Sequence, residues 1–432
     1  MHESIWTKNN PLPQYPPLNG DTSVEVLVIG GGMAGLLTAY QLTQAGKSCL
    51  VIESDGIARG TTGRTTAKLT SQHGLIYANL LDQMGPELAR VYWEANEQAL
   101  NSYRTLAEDI PCDFERQDNY IYMTEDRAAL DRELEALSRL DIPADYVREL
   151  KLPVMTAGAV RFPNQARFHP LKFILGIVPL LEIREETRAL RIEKERVITD
   201  RGIIRAEKIV VATHFPILDR RGLYFLKQYQ SRSYVLALEG AQAPDGMYLD
   251  GSGNGLSFRN QGEMLLLGGG GHRTGKPGGG WEPLSAFARA HYPGSREAAR
   301  WAAQDCMTLD AVPYIGQYSP RMPWLYVATG FNKWGMTGSM AASMVLRDLI
   351  LDGRSSYQAL YDPSRRMARR PLVENIRESA VHLLTPARPR CPHLGCALQW
   401  NSKERSWDCP CHGSRFGEDG ELLENPSKKD MQ

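Results

Sequence analysis

The sequence predicts an α/β protein with a first domain split along the chain, a β-rich second domain and a small all-β C-terminal lobe. Three observations predict it. Near the N-terminus an apolar, β-rich run enters a glycine-spaced turn and then a helix, in "VLVIGGGMAGLLTAYQL". A strand and helix of the same style return late, in "WLYVAT" (324–329) and from Thr337 to Leu351. Four of the seven cysteines crowd between Cys391 and Cys411, among short polar segments.

At 432 residues the chain is long enough for two or three domains with a large buried core. Hydrophobic residues at 42% and charged residues at 23% are ordinary for a globular protein. Lys+Arg and Asp+Glu balance at 50 each, so no basic footprint points to nucleic acid. No uncharged apolar run reaches the roughly 18 residues of a spanning helix, so no membrane span is expected. Residues 1–22 read as a polar, Pro-rich extension without the apolar core of a secretory signal. Clustered cysteines read as a metal site, not as a secreted disulfide framework, and the expected compartment is the cytoplasm. Cys49, Cys112 and Cys306 are scattered and are expected to be small buried hydrophobes.

Val24 to Ile29 is the first predicted strand. Gly30, Gly32 and Gly35 follow as G-x-G-x-x-G, a helix runs on to Gly46, and "CLVIE" is a second strand ending at Glu53. This is a Rossmann-like βαβ unit. Gly30 permits the tight turn, Gly32 lets a pyrophosphate approach the backbone, and Gly35 lets helix and strand pack closely. The helix N-terminus faces the diphosphate, and Glu53 can accept from a ribose hydroxyl. Residues 87–109 and 126–140 read as helices, with the strand-like "FERQDNYIYMT" between them. Residues 189–213 read as strand, turn, strand, and a β-rich stretch continues to about 272. The expected division is a discontinuous cofactor domain (23–80, 186–220 and 300–360), an α+β substrate domain (81–185 and 221–299) and the lobe (373–432). "GGHRTGKP" (270–277) nearly spells a phosphate loop, but Pro277 has no hydroxyl for Mg²⁺. It reads as a loop near the substrate pocket.

The C-terminal ligand set is Cys391-x-His393, fifteen residues, then Cys409-x-x-His412. These ligand types suit a tetrahedral zinc ion, or a [2Fe–2S] cluster with two cysteines on one iron and two histidines on the other. The C-x-H spacing is tighter than the C-x₂₋₄-C of zinc modules.

Several segments resemble the D-amino-acid oxidase-like flavoprotein superfamily. They are "SDGIARGTTGRTTAKLT" after Glu53, "KIVVATHFP" (208–216), "DAVPYIG" (310–316) and "LYVATGFNKWGMTGSMAASMV" (325–345). The resemblance runs in order over residues of about 20 to 355. It implies noncovalent FAD, contacted by Arg59, Thr62, Gly63, Arg64 and Thr65, and later by Gly330, Gly335, Met336 and Thr337. Cys306 is expected to be structural, since the place of the flavin-linking cysteine in one branch is Ala303 here. "CPHLGC" and "CPCHGS" are similar to the Rieske family. That likeness implies a [2Fe–2S] cluster on Cys391, His393, Cys409 and His412, a Cys396–Cys411 disulfide, and a Ser414 bond to a cluster sulfur. The whole order, with Trp400, Asn401, Glu404 and Trp407 to Phe416, resembles bacterial flavin/Rieske fusion oxidoreductases.

By that resemblance, a small amine or amino-acid-type substrate passes hydride to FAD. Single electrons then go to the cluster and to an external acceptor, a quinone or an electron-transfer protein. Rival readings are an oxygen-using amine oxidase with a structural metal lobe, and a non-enzymatic redox sensor. His73 and Lys333 are the candidate catalytic residues, with His272 and Tyr314 as further candidates. Only residues 373–390 separate the flavoprotein part from Cys391, so the lobe is truncated. It must lean on the rest of the chain or hold its cluster weakly.

Overall fold

A computed structural model describes residues 2–8, 10–218, 221–253, 255–366, 369–386 and 389–431. The first sheet has eight strands. Its path runs Tyr314–Gln317, Leu325–Thr329, Ile203–Val211, Thr22–Ile29, Cys49–Ile52 and Glu182–Arg184. From Leu325–Thr329 onward the pairings on that path are parallel. Parallel strands are covered on both faces, so they read as continuous apolar runs, and the last four residues of Thr22–Ile29 are all buried. Helices Met33–Gln44 and Gly335–Leu351 pack together on this sheet, linked by Arg347 donating to Gln41 at 3.3 Å. The first helix stops as predicted at Gly46, whose φ is 81°. The late helix starts at Gly335, two residues earlier than its expected start at Thr337.

The second sheet has nine strands and is almost wholly antiparallel. One edge is Arg296–Thr308, followed by Gln228–Glu239 and Met264–Arg273. Two segments fall differently from the expected division. Arg296–Thr308 pairs along Gln228–Glu239, so most of it belongs to the substrate sheet and not to the cofactor sheet. Glu182–Arg184 pairs in parallel with Cys49–Ile52, so it edges the cofactor sheet. Periodicity shows that a segment is a strand but not which sheet it joins. The predicted 87–109 helix is the second part of Tyr77–Asp109, which kinks at Gly85 (φ 82°) and Pro86. The 126–140 helix is Arg127–Arg139, capped by Asp126 accepting from the Ala129 N–H.

The C-terminal lobe is a four-stranded antiparallel sheet of very short strands, Gln399–Asn401, Ser406–Asp408, Arg415–Phe416 and Leu422–Glu424. Its apolar cluster is small: four cysteines with Leu398 and Phe416, and Trp407, Leu422 and Met431 against them. Helix Arg369–Leu384 links the lobe to the rest of the chain. Among the described residues no helix is long and apolar enough to cross a membrane.

Candidate functional site

The glycine turn is built as its spacing requires. A Cβ on Gly35 would stand 2.0 Å from the Gly30 carbonyl oxygen, so helix and turn approach too closely for any side chain there. Gly30 has φ 115° and sits against the Ala212 backbone. Glu53 Oε2 accepts from the Gly31 N–H at 2.8 Å, and Thr62 Oγ1 accepts from the Met33 N–H at 3.0 Å. A Cβ on Gly63 would stand 2.5 Å from the Ala58 carbonyl oxygen, so the 58–63 turn is equally tight. A glycine turn at a helix N-terminus with an acid beside it fits a dinucleotide diphosphate and ribose. Arg59 does not join this group: it turns outward to Asp55 at 2.7 Å and is largely exposed.

From this segment a cavity of about 870 Å³ opens toward the second sheet. Arg64 and Thr65 line it, as do Gly335 and Met336 at the start of the late helix. The first N–H groups of a helix have no internal acceptor and favour negative charge. Thr337 Oγ1 accepts from the Thr70 N–H at 3.0 Å and ties this helix start to the residue just past the strand Lys68–Leu69. Gly330 has φ 76°, and a Cβ on it would stand 2.3 Å from Thr308. The set fits the ring end of an FAD.

The sequence candidates fare unequally. His73 lines the cavity, but its Nδ1 meets Tyr92 Oη at 2.6 Å and its Nε2 meets the Thr70 carbonyl at 2.7 Å. Burial pushes it down to about 3, so it is neutral. With both nitrogens engaged it has none to offer a substrate, and instead it stacks on Trp334 at 4.8 Å. Lys333 faces the cavity, with burial lowering its ammonium and Asp305 opposing that shift. His272 also lines the cavity and bonds the Gly270 carbonyl at 3.1 Å. Tyr314 lies elsewhere, under the Arg365 guanidinium at 3.9 Å. Cys49, Cys112 and Cys306 are buried and free, and burial raises the Cys306 thiol.

In the lobe, two turns face each other. Cys391 N–H donates to the Cys396 carbonyl and Gly395 N–H to the Cys391 carbonyl, both at 2.9 Å. Cys409 and Gly413 repeat the arrangement, at 2.8 Å to Ser414 and 2.9 Å back to Cys409. Each turn supplies one cysteine and one histidine. The Cys391 and Cys409 thiols are neighbours, and that contact holds Cys391 below the usual thiol range. The His393 and His412 rings lie 5.0 Å apart. Three sulfurs, of Cys396, Cys409 and Cys411, are close enough to share an ion. Two of these belong to the Cys396–Cys411 disulfide, so the sulfurs left for a metal are those of Cys391 and Cys409. Ser414 hydrogen-bonds Cys391 and accepts from the Ser427 N–H at 2.9 Å. Two adjacent thiols and two adjacent imidazoles fit the two-and-two ligation of a [2Fe–2S] cluster.

Cavity and lobe share the walls of one pair of strands, and Arg64, Arg273 and Tyr234 line the cavity and also reach the lobe. Ser231 and Ser233, with Ala303 and Asp305, line the cavity. Side chains alternate along a strand, and Gln230, Arg232 and Gln304 between them meet the lobe. Gln230 donates to the His412 carbonyl at 3.0 Å, and Gln304 donates to the Gly413 carbonyl at 2.8 Å. Arg232, 1% exposed, donates to Glu404 at 2.6 Å and to Glu424 at 3.1 Å. Arg415 joins them through Asp408 at 2.9 Å and Glu404 at 3.1 Å, and Arg64 reaches Glu424 at 3.1 Å. Burial alone would raise the Glu404 carboxyl, but the Arg232 and Arg415 guanidinium groups hold it down at about 2. Glu404 stood in the lobe motif, but Gln230, Arg232 and Gln304 carry no motif. Their only sequence signal is polar residues at every second place on a strand.

Fold and sites together define a flavin-type oxidoreductase carrying its own iron–sulfur lobe. The sequence profile described as FAD dependent oxidoreductase matches residues 25–349. The Rieske [2Fe-2S] domain profile matches residues 382–432. The chain belongs to this FAD-dependent oxidoreductase family and ends in a Rieske domain, so FAD and a [2Fe–2S] cluster are its cofactors. It is 33% identical, over 501 aligned residues, to the putative Rieske 2Fe-2S iron-sulfur protein YhfW of Bacillus subtilis; that match spans 100% of this chain and 97% of that protein. Glycine oxidase from Geobacillus kaustophilus is similar in fold, with a TM-score of 0.68 at 17% identity, over 80% of this chain and 100% of that one. L-proline dehydrogenase from P. horikoshii superposes with a TM-score of 0.67 at 19% identity, over 81% of this chain and 98% of that one.

Proposed function

We propose that the protein oxidises a small amine or amino-acid-type substrate by hydride transfer to FAD. Electrons then pass singly to the Rieske cluster and on to an external acceptor, a quinone or small electron-transfer protein. The observation that carries this is the seating of the lobe directly against the two strands that wall the cavity. When bound, FAD supplies two-electron hydride acceptance and the cluster one-electron exchange.

The chain's own part is to bind, orient and shield. Glu53 and the Gly30–Gly35 turn hold the dinucleotide end, and Arg64, Thr65, Gly335, Met336 and Thr337 hold the ring end. Leu75, Ile76, Val235 and Met307 give the cavity apolar walls, which strengthen every charge interaction inside it. His73 acts as a positioning residue for Trp334. Cys391, His393, Cys409 and His412 are the cluster ligands, with Ser414 as a hydrogen-bond partner of Cys391. The substrate class draws support from the two neighbours named for oxidising glycine and L-proline. The free buried thiols of Cys49, Cys112 and Cys306 support a cytoplasmic location.

The test is an anaerobic titration of the loaded protein with amines and amino acids. The flavin band should bleach, and a rhombic EPR signal of low average g should grow with it. Iron and acid-labile sulfide should each be about two per chain. Flavin bleaching with the cluster left oxidised would end the claim of transfer between them.

A further inference from the structure

The helix Arg369–Leu384, which joins the flavin-binding part to the lobe, carries its polarity inside out. An ordinary surface helix buries its apolar stripe and shows its polar side to water. Here the buried positions are Asn375 and Ser379, 2% and 7% exposed. Asn375 accepts from Arg273 at 2.7 Å and donates to the Leu226 carbonyl at 2.9 Å. Glu378 pairs with Lys276, and the His382 carbonyl accepts from the Ala397 N–H at 2.9 Å. The polar side thus anchors the helix to the substrate sheet and to the lobe. The outward positions are Val373, Ile376, Ala380, Leu383 and Leu384. Steps of three and four residues put them on one stripe. Val373 is 66% exposed and Leu384 83%, with Val381 flanking them at 52%.

Single apolar residues on a surface need no explanation, but a contiguous stripe does. Among the described residues, five of the eleven exposed large hydrophobic side chains fall on this one helix, so they form a patch and not a scatter. The charge around it is one-sided. From Arg366 to Arg390 the sequence holds six arginines against two glutamates, in a chain whose charges balance overall. Arg377 is exposed at the edge of the stripe. Arg390 donates to the Leu383 and Thr385 carbonyls, at 3.3 and 2.6 Å, and so sits at the helix C-terminus.

Size narrows the occupant. Sixteen residues make a helix about 24 Å long, and a stripe about 10 Å wide on it covers about 240 Å². A stable protein partner, or a second copy of the chain, buries about 800 Å² on each side. The stripe matches instead the face that an interfacial helix sinks into the boundary between headgroups and acyl chains, and arginines beside it complement anionic headgroups.

We propose that Arg369–Leu384 docks the protein on an anionic lipid bilayer, with the Val373–Leu384 stripe in the acyl boundary and the arginines at the headgroups. No described helix is long and apolar enough to cross a membrane, so this one lies along the surface. Since the helix is tied to the lobe at Ala397, docking also brings the lobe to the bilayer. Of the acceptors proposed above, that favours a lipid-soluble quinone. This last clause rests on the proposed electron transfer; the docking does not.

Co-sedimentation of the full FAD- and cluster-loaded protein with vesicles tests it. One set is phosphatidylcholine alone, and the other contains about one-third phosphatidylglycerol. The protein should pellet with the anionic vesicles and not with the neutral ones, and binding should weaken as salt rises. The double variant V373S/L384S should weaken binding at least roughly tenfold. R377Q should weaken it about fivefold, the effect of one basic residue near an anionic surface. M155S removes a side chain 90% exposed elsewhere and should change nothing. Equal FAD and iron contents show that the variants fold. Absence of binding to anionic vesicles, or wild-type binding by V373S/L384S, would overturn the docking. So would self-association in sedimentation velocity without lipid that V373S/L384S abolishes, because the stripe is then a contact between copies. Vesicle binding without reduction of a vesicle-borne naphthoquinone keeps the docking and removes the quinone. A flavin that no amine or amino acid bleaches removes the proposed oxidation and leaves the docking standing.

Discussion

Replacing Arg232 by methionine should undock the lobe without unfolding the flavin-binding part. Arg232 is 1% exposed and bridges Glu404 and Glu424 from the far face of the substrate sheet. Methionine fills similar length without the charge. Glu404 is held at about 2 against an ordinary 4.5, and its side chain is only 7% exposed. At about 1.4 kcal/mol for each pH unit, that gap corresponds to about 3 kcal/mol. Arg415 and Tyr234 supply part of it, so the loss expected on removing Arg232 is about 2–3 kcal/mol, at the low end for breaking one partner of a buried pair. The open, undocked lobe should become roughly a hundredfold more populated. Native-state hydrogen exchange is the assay: protection should fall in 399–424 and hold in 22–29, which serves as internal control. Since folding depresses the Glu404 value, its contribution is full above about 4.5 and lost as pH falls toward 2. The difference between wild type and variant should shrink across that window. Equal protection of 399–424 in both proteins, or an even loss through both regions, would refute the reasoning.

Three further outcomes follow from the same geometry. Cys409→Ser should abolish the rhombic EPR signal and most bound iron while FAD content stays normal, since Cys409 lies in the lobe, away from the Gly30–Gly35 turn and the helix start at Gly335. Gly413→Ala should loosen the lobe by about 1–3 kcal/mol, read as faster proteolysis of 391–431, because φ is 84° there and the new Cβ would stand 2.5 Å from Gln230 Cβ. His73 is buried neutral with a value lowered to about 3, so the unfolded chain takes up its proton first as pH falls below about 6.5. The stability contributed by His73 should therefore be full above 6.5 and decline below it, and His73→Asn should flatten that acid slope in thermal melts.

The nucleotide half was legible because its constraints are local. Gly30, Gly35 and Glu53 act through the turn they sit in, and spacing records a turn. The paired Cys-His turns were legible for the same reason. The cavity was not, because it is assembled across distance. Asp305 sits on a strand whose partner lies more than seventy residues earlier, beside Ser231. Nothing in "WAAQDCMTLD" marks the aspartate as lining the cavity. His73 misled as a catalytic candidate because its position near the flavin segment was readable, whereas Tyr92 and the Thr70 carbonyl, which engage both nitrogens, were not. Arg59 erred similarly: a basic residue in the right segment turned to a local acid at the surface.

The shortness of the lobe follows from where its support comes from. Chains of about 40 residues rarely fold on their own core without a disulfide, a metal or a partner. The region from Cys391 onward has all three. The Cys396–Cys411 disulfide ties the two turns together, with Cys391 and Cys409 buried beside it and the His393 and His412 rings 5.0 Å apart. The third support is the substrate sheet, which presents Gln230, Arg232, Gln304 and Arg273 to the lobe. Strand alternation makes this economical, because residues 231, 233, 303 and 305 on the same strands remain for the cavity. A freestanding sheet beneath the cluster would duplicate that wall and push the cluster turns away from it. Truncation and intimate docking are therefore one feature. The residues that replace the missing scaffold also seat the cluster turns against the wall of the cavity.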